Sequence, residues 1–433
     1  MAKHVDDYLY RLNYVSDEYK NLAINKPLLG VPFTIKDSIF VKEIVCTAGI
    51  PSRKNKVSKF NAIVVERMLD AGAILLGITN VPEMLMALDT VNTIYGRTKN
   101  PYDLRKTTGG SSGGEAALIA AAGSVIGLGT DVGGSIRIPA AFNGIFGLKP
   151  TPGLIPLQGI YPMVKEGYPT KMCSIGPMCR YAKDLKILLK IFSADNCNLK
   201  QCKNLPSRKL RIVYMDNFDS PLIENSKPDV RKGFRKILTY FERKYNVRAQ
   251  KLILPTINYA VSFWMASMEI SESPPVSQMM ADMEQEVNCL AELAKFFIGK
   301  SQHTIDAIVA GIFPISKISN SNVKHMRFLR DELRKTIIDA FGENGFLLFP
   351  CYPSTAPFKH QMKFKPLNSV HTSLWNTLAL PALACPIGIN DEGMPLAIQI
   401  VGPPMSDNML IELACELEEE FGGWIPPNNL FSN

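Results

Sequence analysis

Two glycine-rich turns constrain this chain more than any other feature. The first is Gly109-Gly110-Ser111-Ser112-Gly113-Gly114-Glu115, and the second is Gly129-Thr130-Asp131-Val132-Gly133-Gly134-Ser135-Ile136-Arg137. They lie on either side of the small, apolar segment from Ala116 to Gly127. Glycine tolerates positive φ and lets the backbone approach a ligand closely, at an entropic cost that a purely structural turn rarely justifies. Two such turns around one short buried element suggest a site where serine hydroxyls and backbone N–H groups converge. The chemistry this favours is that of a serine hydrolase.

Such a nucleophile needs a base. A Ser-His-Asp triad is defined by geometry rather than sequence order, so a distant histidine could fold back. Yet only His4, His303, His325, His360 and His371 are available, and none falls between residues 5 and 302, where both turns lie. Lysine serves equally well if burial lowers its pKa. Lys36 ends the run Gly30-Val31-Pro32-Phe33-Thr34-Ile35, which reads as a short buried strand. Desolvation there favours the neutral amine, which can accept a hydroxyl proton. Taken alone Lys36 would read as one more solvated lysine; the serine turns make it a candidate base.

Other motif readings fail on particular residues. Gly109-Gly110-Ser111-Ser112-Gly113 fits the nucleophile-elbow pattern, but that elbow follows a buried strand. Here the polar segment from Tyr102 to Thr108 precedes it. A phosphate-binding loop would end in Gly-Lys-Ser/Thr, whereas Gly113-Gly114-Glu115 supplies an acid. A dinucleotide fingerprint fails on glycine spacing.

Lys36 in Gly-Val-Pro-Phe-Thr-Ile-Lys-Asp and the two turns together resemble the amidase signature family, with 75 residues from Lys36 to Ser111 and 24 more to Ser135. The resemblance implies a Ser-cis-Ser-Lys triad and an acyl-enzyme intermediate. Ser135 would be the nucleophile, Ser111 the bridging hydroxyl joined to its neighbour by a cis peptide, and Lys36 the base. The N–H groups of Val132, Gly133, Gly134 and Ser135 would form the oxyanion hole. Ser112 and Thr130 are expected to hydrogen-bond behind these groups. Asp131 and Arg137 read as a structural pair holding the nucleophile turn, since buried charges are normally paired; direct catalysis is the alternative.

Within the family, Asn80-Val81-Pro82-Glu83, Tyr95-Gly96-Arg97, the run from Gly144 to Thr151, Gly176-Pro177-Met178-Cys179-Arg180 and Phe421-Gly422-Gly423-Trp424 resemble the fatty-acid amide hydrolases, especially their type 2 form. That resemblance implies that Leu85 and Met86, in Met84-Leu85-Met86-Ala87-Leu88, line an acyl channel. Methionine suits a flexible lipid tunnel, although ordinary core packing is the alternative. Phe263-Trp264-Met265 and Phe296-Phe297-Ile298 read as helix core, with a channel lining or a membrane-facing cap as the other possibility. The substrate is then a lipid or small-molecule amide. A general small-molecule or aryl-acyl amidase is one alternative. The catalytic subunit of a glutamine-dependent aminoacyl-tRNA amidotransferase and a non-catalytic binding protein of the same fold are the others.

Alternating strands and helices imply an α/β architecture, which the resemblance sharpens to a large mixed, twisted sheet sandwiched between helices. Helices are expected at Asn61 to Gly72, Ser112 or Gly113 to Ala122, and Asn408 to Phe421; strands are expected at Ala73 to Thr79, Val125 to Gly129, Phe346 to Pro350 and Leu396 to Val401. One amidase domain over 1–433 is expected, with a variable segment at about 193–342 and part of the family's usual N-terminal region missing before Lys36. The nine cysteines contain no C-x-x-C pair, which supports neither a zinc site nor a disulfide framework and favours a reducing, intracellular compartment. No cofactor or metal is expected. The net charge of +8 is spread over several runs with no aromatic-basic motif, so nucleic-acid binding is not expected. Weak attraction to an anionic membrane is a minority reading. No run is long enough to span a bilayer, so the chain is expected to be cytoplasmic or peripherally membrane-associated; a homodimer stays open.

Overall fold

The computed structural model describes residues 25–427 apart from 165, 195–209, 219, 269–273 and 314–319. His4 and most of the polar stretch from Cys197 to Leu210 lie outside the described residues. The strands are β1 (Pro32–Lys36), β2 (Ile74–Thr79), β3 (Val91–Asn92), β4 (Gly96–Arg97), β5 (Ile126–Asp131) and β6 (Phe146–Lys149). They continue as β7 (Ser174–Cys179), β8 (Arg211–Tyr214), β9 (Gln250–Lys251), β10 (Gly345–Pro350), β11 (Ala382–Ile389) and β12 (Pro395–Val401). Ten of them form one sheet in the order β2-β1-β5-β7-β6-β11-β12-β10-β8-β9, while β3 and β4 form a separate ribbon. Pairing is parallel among β2, β1 and β5 and again among β10, β8 and β9, and antiparallel through the middle. The sheet is therefore mixed.

The helices that cover it include α1 (Ile63–Asp70), α2 (Gly113–Ala120), α3 (Arg137–Phe142), α4 (Ala182–Ser193), α5 (Pro228–Tyr245) and α6 (Ala260–Ser267). Further along are α7 (Cys289–Phe297), α8 (Ile305–Ile312), α9 (Asn320–Phe341), α10 (Val370–Thr377) and α11 (Asp407–Phe421). The elements expected from periodicity are all present, with ends shifted by no more than two residues. Such shifts are normal where helices fray and end turns tighten.

Both faces of the sheet are buried, and the period-two alternation of a strand sorts its side chains between them. On β10, Phe346 and Leu348 join the core under α1, α4, α5 and α11, while Leu347 and Phe349 join the core under α6, α9 and α10. The same alternation decides the chemistry on β1. Phe33 and Ile35 enter the first core, which turns Thr34 and Lys36 to the other face, where α2 packs.

That packing is close enough to dictate glycine. A Cβ on Gly127 of β5 would come within 1.8 Å of Glu115 Oε1, and one on Gly113 within 2.3 Å of Thr90 Oγ1. The glycines are thus needed for contact between α2, β5 and the loops around them.

Candidate active site

Lys36 is fully buried at the end of β1. Its Nζ lies 2.7 Å from Ser111 Oγ, 2.8 Å from Thr130 Oγ1 and 3.2 Å from the Thr130 carbonyl oxygen. Desolvation lowers its pKa to about 7, against the pull of the Asp131, Cys173 and Glu115 charges. As a neutral amine, Lys36 can keep two N–H groups on the Thr130 oxygens and turn its lone pair to the Ser111 hydroxyl. Near neutral pH this lysine can act as a proton acceptor.

Ser111 follows a cis peptide bond to Gly110 and is buried. The approach to it is pinned on both sides. Thr90 Oγ1 donates to the Gly109 carbonyl at 2.9 Å, and the Gly109 N–H donates to Thr107 Oγ1 at 3.0 Å. A Cβ on Gly110 would stand 2.5 Å from the Ala87 carbonyl oxygen, so that stretch of loop also admits only glycine. Ser112 ties this loop to the second turn: its N–H donates to the Ser135 carbonyl at 3.1 Å. Its hydroxyl reaches the Thr130 carbonyl at 3.5 Å, at the limit of a hydrogen bond.

The second turn leaves β5 at Asp131. Both carboxylate oxygens of Asp131 are used: Oδ1 accepts from the Gly134 N–H at 2.6 Å, and Oδ2 from the Ile136 N–H at 3.1 Å. Arg137 closes the turn with Nε and Nη2 on the same carboxylate, each at 3.1 Å. Burial pushes the Asp131 carboxyl up, but the Arg137 charge and hydrogen bonds, with Lys149 and Asn376, outweigh it and hold the group well below the usual carboxylate range. The guanidinium is shared with Gln399 Oε1 at 2.9 Å and with Asn376 Oδ1.

Ser135 sits half-buried where the turn passes into α3. Among the described residues its hydroxyl has no hydrogen-bond partner, so the Lys36–Ser111 link is formed and a Ser111–Ser135 link is not. Catalytic hydrogen bonds are often long before substrate tightens them. Of the four N–H groups considered for an oxyanion hole, that of Gly134 is occupied by Asp131. Those of Val132, Gly133 and Ser135 have no acceptor among the described residues.

Several further polar groups surround the site. Glu115 is buried and accepts from Thr34 Oγ1 and from Thr79 Oγ1. Burial raises its pKa to about 7, with those two hydroxyls and Lys36 opposing. A second fully buried lysine, Lys149, donates to the Pro150 carbonyl at 3.1 Å. Its pKa falls to about 7 through burial and then the charge of Arg137. Thr372 Oγ1 donates to the Gly133 carbonyl at 2.9 Å, and Trp264 Nε1 to the Val132 carbonyl at 3.1 Å. In the sequence only Gln399, between Ile398 and Ile400, breaks an apolar run and hints at such a contact.

The described histidines stand elsewhere. His371 is buried between Phe218 and Phe349 with its Nδ1 3.1 Å from the Asn368 carbonyl, and burial lowers its pKa to about 4. His303 binds Glu83 at 2.6 Å, and His360 lies near Arg97. None of them touches Lys36, Ser111 or Ser135.

Leu85 ends a short turn, Glu83–Leu85, in which Met84 and Leu85 both adopt positive φ, and Met86 caps it. Met84 is buried and Leu85 half-buried, against Ala48, Ile50, Met280, Cys289 and Ile308. Met86 is 47% exposed. The α7–α8 region therefore covers this turn, and it is latched to the body by Arg53 on Asp282 at 2.7 Å and by Glu83 on His303 and Thr304.

The family model described as Amidase matches residues 6–411. Fatty-acid amide hydrolase 2 of Homo sapiens is 37% identical over 410 residues, covering 93% of this chain and 77% of its own. A glutamyl-tRNA(Gln) amidotransferase subunit of Aliarcobacter butzleri is 30% identical, covering 93% of this chain and 91% of its own. A solved fatty acid amide hydrolase structure superposes with a TM-score of 0.74 at 22% identity, over 92% of this chain and 74% of that one.

Proposed function

Since the chain belongs to the amidase family and is an amide-cleaving hydrolase, we propose that it acts on fatty-acid amides through Ser135, Ser111 and Lys36. The observation that carries the catalytic part is the 2.7 Å contact of a fully buried lysine, its pKa near 7, with a serine hydroxyl. The substrate part rests on the 37% identity to fatty-acid amide hydrolase 2.

The reaction follows from the residues in order. Ser135 Oγ attacks the amide carbonyl carbon while its proton passes to Ser111 Oγ, whose own proton passes to neutral Lys36 Nζ. The resulting alkoxide is held by turn N–H groups, with Val132, Gly133 and Ser135 the free donors among the described residues; one such donor is typically worth about 3–4 kcal/mol of transition-state stabilisation. On collapse the C–N bond breaks and the relay runs backwards, so the departing amine takes a proton from Ser111 and Lys36 becomes neutral again. Water then hydrolyses the Ser135 ester by the same path. Asp131 and Arg137 shape the turn without touching substrate.

Leu85, packed beneath the α7–α8 cover, and the more exposed Met86 line the acyl path in this reading. Exposed Leu290, Phe297 and Ile298 on and just after α7, with Phe313 beyond α8, support contact with a lipid surface from which such a substrate would be drawn. Among the described residues no helix is long and apolar enough to cross a membrane.

The purified chain, without glutamine or any partner, should hydrolyse a long-chain N-acyl ethanolamide, and Ser135→Ala should not. Activity that appeared only with glutamine and partner proteins would favour the amidotransferase reading, which the 30% identity to the Aliarcobacter butzleri protein keeps in view.

A further inference from the structure

The second turn holds two adjacent glycines, Gly133 and Gly134, and glycine peptides flip at little steric cost. A flip of the Val132–Gly133 peptide would replace an N–H by a carbonyl oxygen, which would repel an alkoxide rather than hold it. Something must fix the orientation of that peptide. We propose that Trp264, on α6, is the positioning residue that does so, and thereby presents the Gly133 N–H to the alkoxide formed on Ser135.

The geometry is that of two consecutive peptides pinned at their carbonyls. Trp264 Nε1 donates to the Val132 carbonyl at 3.1 Å. In a trans peptide the C=O and the following N–H point in opposite directions, so the indole sets the direction of the Gly133 N–H, away from α6. The next peptide is pinned by Thr372 on α10, whose Oγ1 donates to the Gly133 carbonyl at 2.9 Å, and its N–H runs to Asp131 Oδ1 at 2.6 Å. One N–H is thus consumed in shaping the turn, and the other has no acceptor among the described residues.

The indole is itself held. Its neighbours Phe263 and Ala266 are buried, and Phe263 packs in the core shared with Leu374 and Trp375 of α10. The turn lies directly against both helices: a Cβ on Gly133 would meet Ser373 Cβ and Trp264 Nε1 at 3.6 Å each. A residue that reads in the sequence as ordinary helix core thus makes its polar contact with the turn that precedes the nucleophile.

The inference rests on the reading that this turn holds the oxyanion. Two replacements isolate the indole N–H: Trp264→Phe, and substitution of Trp264 by benzothienylalanine, which keeps the ring shape and exchanges N–H for sulfur. For each, kcat and KM would be measured on a long-chain N-acyl ethanolamide. Affinity would also be measured for a trifluoromethyl ketone, which Ser135 converts to a hemiketal alkoxide, and for the matching secondary alcohol, which forms no alkoxide. Full loss of an oxyanion donor lowers kcat by about 10²–10³-fold, so loss of its anchor should lower kcat by at least about tenfold. KM and alcohol binding should stay within about twofold, and ketone affinity should fall in proportion to kcat. Unchanged kcat in the benzothienylalanine protein would overturn the proposal. So would a loss expressed equally in KM and in alcohol binding, which would make Trp264 a wall of the substrate chamber. Turnover by Ser135→Ala would instead remove the catalytic reading beneath it, independently of either Trp264 replacement.

Discussion

Asp131 and Arg137 face one another as a fully buried two-point pair, Nε to Oδ2 and Nη2 to Oδ1, each at 3.1 Å. The pair spans the turn that carries Ser135, and the same carboxylate also gathers the N–H groups of Gly134 and Ile136. The guanidinium in turn is fixed by Gln399 and Asn376, from β12 and α10. The turn that carries Ser135 is thereby tied to strands and helices far away in sequence.

Arg137→Ala should therefore act first on stability. Removing one partner of a buried pair leaves the other charge uncompensated, at a cost of about 3–5 kcal/mol, and strands Gln399 and Asn376 as well. Urea unfolding would read this directly. A stability change within about 0.5 kcal/mol, the range of an ordinary surface substitution, would show that the pair does not hold the turn.

Lys36 makes two pH predictions, one for activity and one for stability. If neutral lysine is the base, kcat/KM should rise with pH through about 7, the lowered pKa of this group. Stability carries its own sign. Unfolded lysine keeps its proton up to its ordinary pKa of 10.5, whereas the folded group loses it near 7. Between those values the unfolded state binds more protons, so stability rises with pH. Wild type should gain stability relative to Lys36→Met as pH is raised from 7 toward 10.5, while the mutant stays inactive throughout. Taking the difference between the two proteins cancels Lys149, which shares the lowered pKa. A flat difference would mean that Lys36 is solvated.

A fluorophosphonate probe should label Ser135 and no other residue. Ser135→Ala should abolish the adduct, and Ser111→Ala should slow turnover by about 10²–10⁴-fold, the usual worth of a general acid–base group. Exchange of His303 or His360 should leave labelling intact, since neither reaches the triad. An adduct found by mass spectrometry on Ser111 would move the nucleophile to the first turn.

The parts of this site that were legible in sequence are those where packing leaves no choice of residue. Gly127 had to be glycine because Glu115 of α2 lies against β5, and Gly113 because the Thr90 and Thr108 hydroxyls crowd it; Lys36 stood out because a charge ended a buried run. Strand alternation on β1 then placed it on the face of α2. What stayed hidden came from long-range contacts made by ordinary residue types. Trp264 and Thr372 reach the nucleophile turn from helices more than a hundred positions away, and their composition marks them only as core. The engagement of the Gly134 N–H by Asp131 was equally hidden, because a glycine shows that a backbone is close to something but not which way its N–H points. The half-exposed Met86 shows the same limit for side chains, since a run of methionines and leucines does not say which one faces a channel.

Substrate length separates a fatty-amide hydrolase from a general amidase. If Leu85 and Met86 line an acyl path, each methylene that enters it should strengthen binding by up to about 0.8 kcal/mol until the path is full. Long-chain amides should then exceed short ones in kcat/KM by orders of magnitude. Met86→Lys should erase the advantage, and because Met86 is 47% exposed the folded protein should tolerate the charge. That makes the substitution a cleaner probe than one at buried Met84, where a lysine would strain the core beneath the α7–α8 cover. Rates should be taken below the micelle concentration of each amide, from acetamide-sized to oleoyl-sized. A flat series, with no response to Met86→Lys, would remove the fatty-amide assignment and leave Lys36, Ser111 and Ser135 as the machinery of an amidase of broader scope.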